Sequence, residues 1–140
     1  MSVASALDLI ESVKDASVLF VGDTIIDEYV YVAPLGKSPK EHLIPVHYQS
    51  QEEFRGGIQA AAEHARTFCK TVDISTSGPI TTKVRMVDKT YLRKLFEIHY
   101  TGQNVENPRP ITADYDCIVL ADFGHGAVTP DTVREIEATG

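Results

Sequence analysis

The chain has little cysteine: Cys69 and Cys117 are the only two in 140 residues, and they form no Cys-x-x-Cys pair. That leaves two buried free thiols in a reducing compartment as the expectation, rather than a disulfide. The histidines (His42, His47, His64, His99 and His125) show no His-x-His or His-Glu-x-x-His spacing, so no protein-built metal site is expected. No run of lysine and arginine makes a basic patch of the nucleic-acid-binding kind, and the formal net charge is −7, which argues against nucleic acid and against anionic membrane surfaces. No run is long and apolar enough to span a bilayer, and the first residues lack the basic-then-apolar order of a signal peptide. A cytoplasmic protein follows as the default. No P-loop is present.

Against these absences stands a composition that is 43% hydrophobic and 24% charged, ordinary for one soluble globular domain with a core. The whole chain, 1–140, reads as that single domain. Residues 3–14 carry Val3, Ala6, Ile10 and Val13 at helical spacing, and Ser5 with Asp8 can form a capping box. Residues 17–22 are a continuous apolar run, which marks a strand buried on both faces. From Ile25 to Val32 the pattern alternates, with Asp27, Tyr29 and Tyr31 on one face and Ile26, Val30 and Val32 on the other.

A loop follows over 33–39, and Leu43 to Tyr48 is again extended, with Pro45 placing it at a sheet edge. Gly56-Gly57 opens a helix whose buried stripe is Ile58, Ala61, Ala62, Ala65 and Cys69. Val72–Ile74 reads as a short strand and Thr76-Ser77-Gly78-Pro79 as a turn. Thr81–Val87 and Leu92–Tyr100 form a hairpin around Asp88-Lys89-Thr90. Residues 101–114 read as loop, with Gly102, Asn104, Asn107, Pro108 and Pro110. Cys117–Ala121 is a second strand of buried type, ending at Asp122 before the Gly124-His125-Gly126 turn. Thr129-Pro130 starts a last helix, with Thr129 as its cap, that stops at Gly140.

Polar groups gather where strands end. Asp23 reads as a turn carboxylate that caps free backbone N–H groups. Asp27 reads as a ligand contact in preference to an exposed strand carboxylate, because one carboxylate can accept two sugar hydroxyls at once. Gly56 and Gly57 let backbone N–H groups approach a ligand, and the helix behind them favours an anion, but tight packing explains a Gly-Gly pair equally well. Lys83 and Arg85 share a strand face, with Arg93 expected nearby across the hairpin; such a cluster suits a phosphorylated ligand, although a solvated face would look the same. Asp122, before its glycine turn, could position a metal–phosphate group or be an ordinary turn residue.

The ordered set of segments resembles the ribokinase-like (PfkB) family of carbohydrate kinases, and within it the heptose-7-phosphate kinase branch of ADP-heptose synthesis. The resemblance lies in Val21-Gly22-Asp23-Thr24-Ile25-Ile26-Asp27-Glu28-Tyr29, in Ser38-Pro39 with Ile44-Pro45-Val46, and in Phe54-Arg55-Gly56-Gly57. It continues through Thr82-Lys83-Val84-Arg85, Leu92-Arg93 and Ile118-Val119-Leu120-Ala121-Asp122-Phe123-Gly124-His125-Gly126.

The resemblance implies an α/β fold: a truncated Rossmann-like ribokinase core with a small β-sheet lid, its lid strands near 25–50 and 81–100. It implies a sugar or sugar phosphate between core and lid, with Asp27 on its hydroxyls, Gly56 and Gly57 beside it, and Lys83, Arg85 and Arg93 near the phosphate or the lid hinge. It implies a homodimer through the lid strands, and ATP with Mg2+ as cosubstrate and cofactor. The sequence departs from the family in four respects. Ile58-Gln59-Ala60-Ala61-Ala62 follows Gly-Gly where the family carries an Asn, and His125 stands where the branch carries a Lys. The stretch before Thr82 is short, so a strand–helix unit is expected to be missing. The family's Gly-Ala-Gly-Asp segment, with its catalytic Asp, does not occur.

The expectation is therefore the sugar-binding N-terminal part of such a kinase, with ATP not bound by this chain alone and no catalytic residue assigned. The alternative is a non-catalytic module that binds a sugar phosphate or dimerises.

Overall fold

The computed structural model describes residues 3–76, 78–102, 110–112 and 114–139. The expected loop over 101–114 therefore lies partly outside the described residues, as do Ser77 of the expected turn, the Ser5 side chain of the expected capping box and the Gly140 helix stop.

The fold is α/β, built on two open sheets. In chain order the elements are α1 (Val3–Val13), β1 (Ser17–Gly22), β2 (Thr24–Pro34), β3 (Val46–Gly57), α2 (Ile58–Ala65), β4 (Thr71–Ser75), β5 (Thr81–Asp88), β6 (Arg93–Tyr100), β7 (Cys117–Ala121) and α3 (Pro130–Thr139). The first sheet is parallel, in the order β4-β1-β7. The second is mixed, in the order β3-β2-β5-β6: β2 pairs antiparallel with β3 and parallel with β5, and β5–β6 is the expected hairpin.

β1 is central in its sheet, and Val18–Val21 are buried on both of its faces, as the continuous apolar run requires. On one face Val18 and Phe20 meet Ile58, Ala62 and Ala65 of α2, with Val72 of β4. Ala61 packs at the margin of this cluster, so the small-residue stripe lets α2 lie close on the sheet; Cys69, expected on the same helix, also packs there but lies beyond it, since α2 ends at Ala65. Thr129 caps α3, its hydroxyl accepting the N–H of Thr132 at 3.2 Å.

The second sheet has its own apolar side. Val30, Val32 and Val84 are buried there, with Val46 and Met86 against them. Burial of each such Val contributes roughly 1.5–3 kcal/mol, enough to hold β2 to β5 but spread over few residues.

Three expectations need correction. The helix does not begin at Gly56-Gly57: those residues end β3, paired with Ile25 and Thr24, and the helix starts at Ile58. The second extended segment starts at Val46 and runs twelve residues, far past Tyr48. As an edge strand it is mostly exposed, so it carries polar residues that conceal it. Finally, β7 is apolar in composition but lies at a sheet edge. Cys117 is exposed, Leu120 is 42% exposed, and Cys69 is only half-buried, so both thiols are free but neither is fully buried.

Candidate functional site

Two carboxylates at the end of β1 and the start of β2 have different fates. Asp23 is fully buried. Its Oδ2 accepts the backbone N–H of Phe123 at 2.7 Å and of His125 at 3.4 Å, and its Oδ1 accepts that of Ala127 at 2.8 Å. Asp23 is thus the internal cap of the 122–127 loop, as the sequence suggested. Asp122, the candidate for a metal–phosphate group, is exposed, and its Oδ1 accepts the N–H of Gly124 at 2.8 Å. Among the described residues no group of three or more His, Cys, Asp and Glu side chains is placed to hold a metal ion.

Asp27 is on the opposite face of β2 from the valine cluster. Residues paired across a sheet share a face, so register defines its neighbours. Asp27 pairs with Phe54 and Lys83, Tyr29 with Glu52 and Arg85, and across β5 Lys83 pairs with His99 and Arg85 with Glu97. This face therefore joins acidic, basic and aromatic side chains from four strands.

Arg85 is its centre. The side chain is 13% exposed, and Nη1 donates to Asp27 Oδ1. Nε stands 2.6 Å from Glu97 Oε2, but its N–H is not directed at an acceptor, so that contact is an ion pair rather than a hydrogen bond. The guanidinium also lies over the Tyr29 ring, 5.2 Å from the centroid. Burial pulls the Arg85 pKa down, but the hydrogen bond to Asp27 and the charges of Asp27 and Glu97 outweigh it and hold the group above its ordinary value. Glu97 also pairs with His99 Nε2, and that hydrogen bond, followed by Arg85, holds its carboxyl below its ordinary value.

Beside Asp27 the ring of Tyr29 meets Phe54 edge to face at 5.6 Å, and the Tyr31 hydroxyl donates to Glu52 at 3.0 Å. Glu52 raises the Tyr31 pKa in turn. Asp27, Tyr29, Tyr31 and Phe54 line a cleft of ≈ 370 Å³. Gly56 stands at one end, where a Cβ would come 3.1 Å from Asp27 Oδ2. Its hydrogen keeps that oxygen approachable. Gly57 has φ 58°, and a Cβ there would meet the Asp23 carbonyl oxygen at 2.3 Å, so only glycine joins β3 to α2 in this way.

The structure thus brings together Asp27, Gly56, Lys83 and Arg85. Gly57 is next in the chain but faces the join to Asp23. Arg93 is not in the group. It pairs with Asp88 at the far end of β5, beyond a bulge at Met86/Val87 that changes which residues face which side. Sequence reading missed Glu97, His99, Tyr29 and Phe54 as members. The alternation in 25–32 and 93–100 was the available signal, but only cross-strand register converts it to neighbours.

No protein-family model matches the chain, and no curated protein matches it. Among solved structures it is similar to a crystal structure of a Clostridium perfringens protein classed by inference as a sugar kinase. The identity is 12% and the TM-score 0.36, over 89% of this chain and 40% of that one. The chain spans well under half of that protein's length.

Proposed function

We propose that this chain is the sugar-binding, N-terminal part of a PfkB-type carbohydrate kinase that takes a heptose or hexose phosphate. The observation that carries the reading is Asp27 in its cleft: a carboxylate left open by Gly56, flanked by Tyr29 and Phe54, and joined to Arg85. The carboxylate can accept two adjacent hydroxyls. The aromatic rings suit the apolar face of a sugar ring, and Arg85 with Lys83 suits its phosphate. Because Arg85 already holds Asp27, a ligand must share the carboxylate with it. Transfer of a phosphoryl group needs a positioned base and charge stabilisation. In this proposal ATP, Mg2+ and the base are held by residues outside this chain, and the chain by itself transfers nothing.

A second reading is a non-catalytic module that binds a sugar phosphate or dimerises. It is favoured by the exposed apolar residues Tyr48, Phe96, Ile98 and Tyr100 on the valine side of the second sheet. Calorimetry with heptose 7-phosphate and fructose 6-phosphate tests the site. Binding of either, weakened at least about tenfold by Asp27→Ala (one hydrogen-bonded charge, ~1.4 kcal/mol or more), is the expected result. Equal binding by the variant removes Asp27 from the site. ATP turnover by this chain alone would overturn the assignment of the donor site elsewhere.

A further inference from the structure

We propose that His99 is the proton-dependent cation at the phosphate end of the Asp27 site, and that Glu97 is the positioning residue through which it governs Arg85. The proposal rests on the sugar-phosphate reading of that site and adds its regulation: a phosphorylated ligand is held more tightly when His99 carries its proton.

Register lays the site out as two rows across the second sheet. One row runs Phe54, Asp27, Lys83, His99; the next, two residues along each strand, runs Glu52, Tyr29, Arg85, Glu97. These side chains share one face. Neighbouring strands stand about 4.8 Å apart, so Lys83 is one spacing from Asp27 and His99 is about 10 Å from it. A ring whose hydroxyls meet Asp27 can therefore carry its phosphate over Lys83 and His99. Lys83 is half-buried and enters no ion pair among the described residues.

Glu97 links His99 to the second row. Its Oε1 pairs with His99 Nε2, and its Oε2 stands 2.6 Å from Arg85 Nε. The Nε–H is not directed at an acceptor, whereas Arg85 Nη1 donates to Asp27. The hold of Glu97 on Arg85 is thus the weak link of the chain and the one that can yield. The His99 side chain is 49% exposed, so solvent protons reach it, while that of Arg85 is only 13% exposed.

The charges that face His99 give the sign. β6 itself contributes Glu97 and Lys94, and β5, paired with it, contributes Lys83 and Arg85. Farther across the face stand Asp27, Tyr29 and Tyr31 on β2 and Glu52 on β3. The carboxylates of Asp27, Glu52 and Glu97 thus balance the cations Lys83, Arg85 and Lys94, and a proton on His99 tips the face positive. The same proton turns the His99–Glu97 hydrogen bond into an ion pair. Glu97 then offsets less of the Arg85 charge, which is left to act on a phosphate.

Two measurements on the full chain test this. Calorimetry with fructose 6-phosphate compares the parent with His99→Gln at about pH 5.5 and about pH 8, on either side of an ordinary histidine's titration. Dividing one chain's Kd by the other's cancels the titration of the ligand's own phosphate. The two chains should bind within about twofold of each other at the higher pH, and the parent about threefold tighter or more at the lower. In the free protein, the Arg85 Nε–Hε NMR signal should follow the His99 imidazole titration, and should lose that response in Glu97→Gln. A Kd ratio equal at both pH values, a variant already weaker at the higher pH, or an Arg85 signal indifferent to His99 would each overturn the proposal. Binding that depends on Asp27 but not on His99 sinks the proton linkage alone. No binding by the parent at either pH sinks the sugar reading and the linkage together.

Discussion

The Asp23 carboxylate at the end of β1 accepts the backbone N–H of Ala127, 104 positions away, at 2.8 Å. With the bonds to Phe123 and His125 it ties the 122–127 loop to the central strand. Asp23→Ala leaves three N–H donors without that partner inside the fold. A hydrogen bond to a charged group contributes about 1.5–3 kcal/mol, and the losses overlap, so a destabilisation of about 3–5 kcal/mol is expected. Urea unfolding measures it. A loss under 1 kcal/mol would mean that water or the loop itself replaces the carboxylate.

The role of Asp23 was legible because a lone Asp after an apolar strand, before a loop, has little else to do. Other features were not legible, for physical reasons. The twelve residues of β3 bury little, since an edge strand needs apolar side chains on few positions. The run His47-Tyr48-Gln49-Ser50-Gln51-Glu52-Glu53 therefore carries no periodic signal. Cys117–Ala121 has the composition of a central strand, but nothing in five residues says whether a neighbour lies on both sides. In the site, the Lys83/Arg85 pairing was visible from spacing alone. The bulge at Met86/Val87, which sends Arg93 elsewhere, depends on how β5 and β6 meet and leaves no mark in either segment.

Gly57 gives a sharper test of the β3–α2 join. Gly57→Ala places a methyl group 2.3 Å from the Asp23 carbonyl oxygen, at a φ of 58°. The strain and the displaced backbone should cost roughly 2 kcal/mol or more. Because the same carbonyl accepts the Ile58 N–H, the helix start should loosen with it. Hydrogen exchange is the measurement: faster exchange at Ile58 and the first turn of α2 is expected, with β5–β6 unchanged. Uniformly unchanged exchange would rule out the steric argument.

At the opposite end of the parallel sheet, Asp116 Oδ2 accepts both the backbone N–H and the hydroxyl of Ser17, each at 2.7 Å. The Ser17 backbone bond, then its hydroxyl bond, holds the Asp116 carboxyl below its ordinary value. A depressed folded value means that the unfolded chain takes up the proton first. The stabilisation from Asp116 is therefore complete above about pH 4, where an unfolded Asp titrates. It is lost as pH falls through the lower, folded value. Asp116→Asn should flatten this acid limb and leave the slope above neutrality unchanged. Thermal unfolding from pH 2 to pH 8 reads the difference, and identical acid limbs would show that the Ser17 contacts do not persist in solution.

The valine side of the second sheet bears on assembly. Phe96 is 53% exposed and Tyr48 61%, with Ile98 and Tyr100 beside Phe96 on β6. The nearby hollow of ≈ 800 Å³ is lined by Pro34, Leu43, Ile44 and Phe96 among others. Large exposed apolar patches often mark interaction sites, and a two-fold dimer would use the same face on both copies. In the proposed homodimer, Phe96→Glu with Ile98→Lys places charges on that face without touching Asp27 or Arg85, which lie on the other side of the sheet. Light scattering should give a dimer for the parent chain and a folded monomer for the variant. A parent chain that runs as a monomer would overturn the homodimer, and a variant that stays dimeric would move the interface off the second sheet.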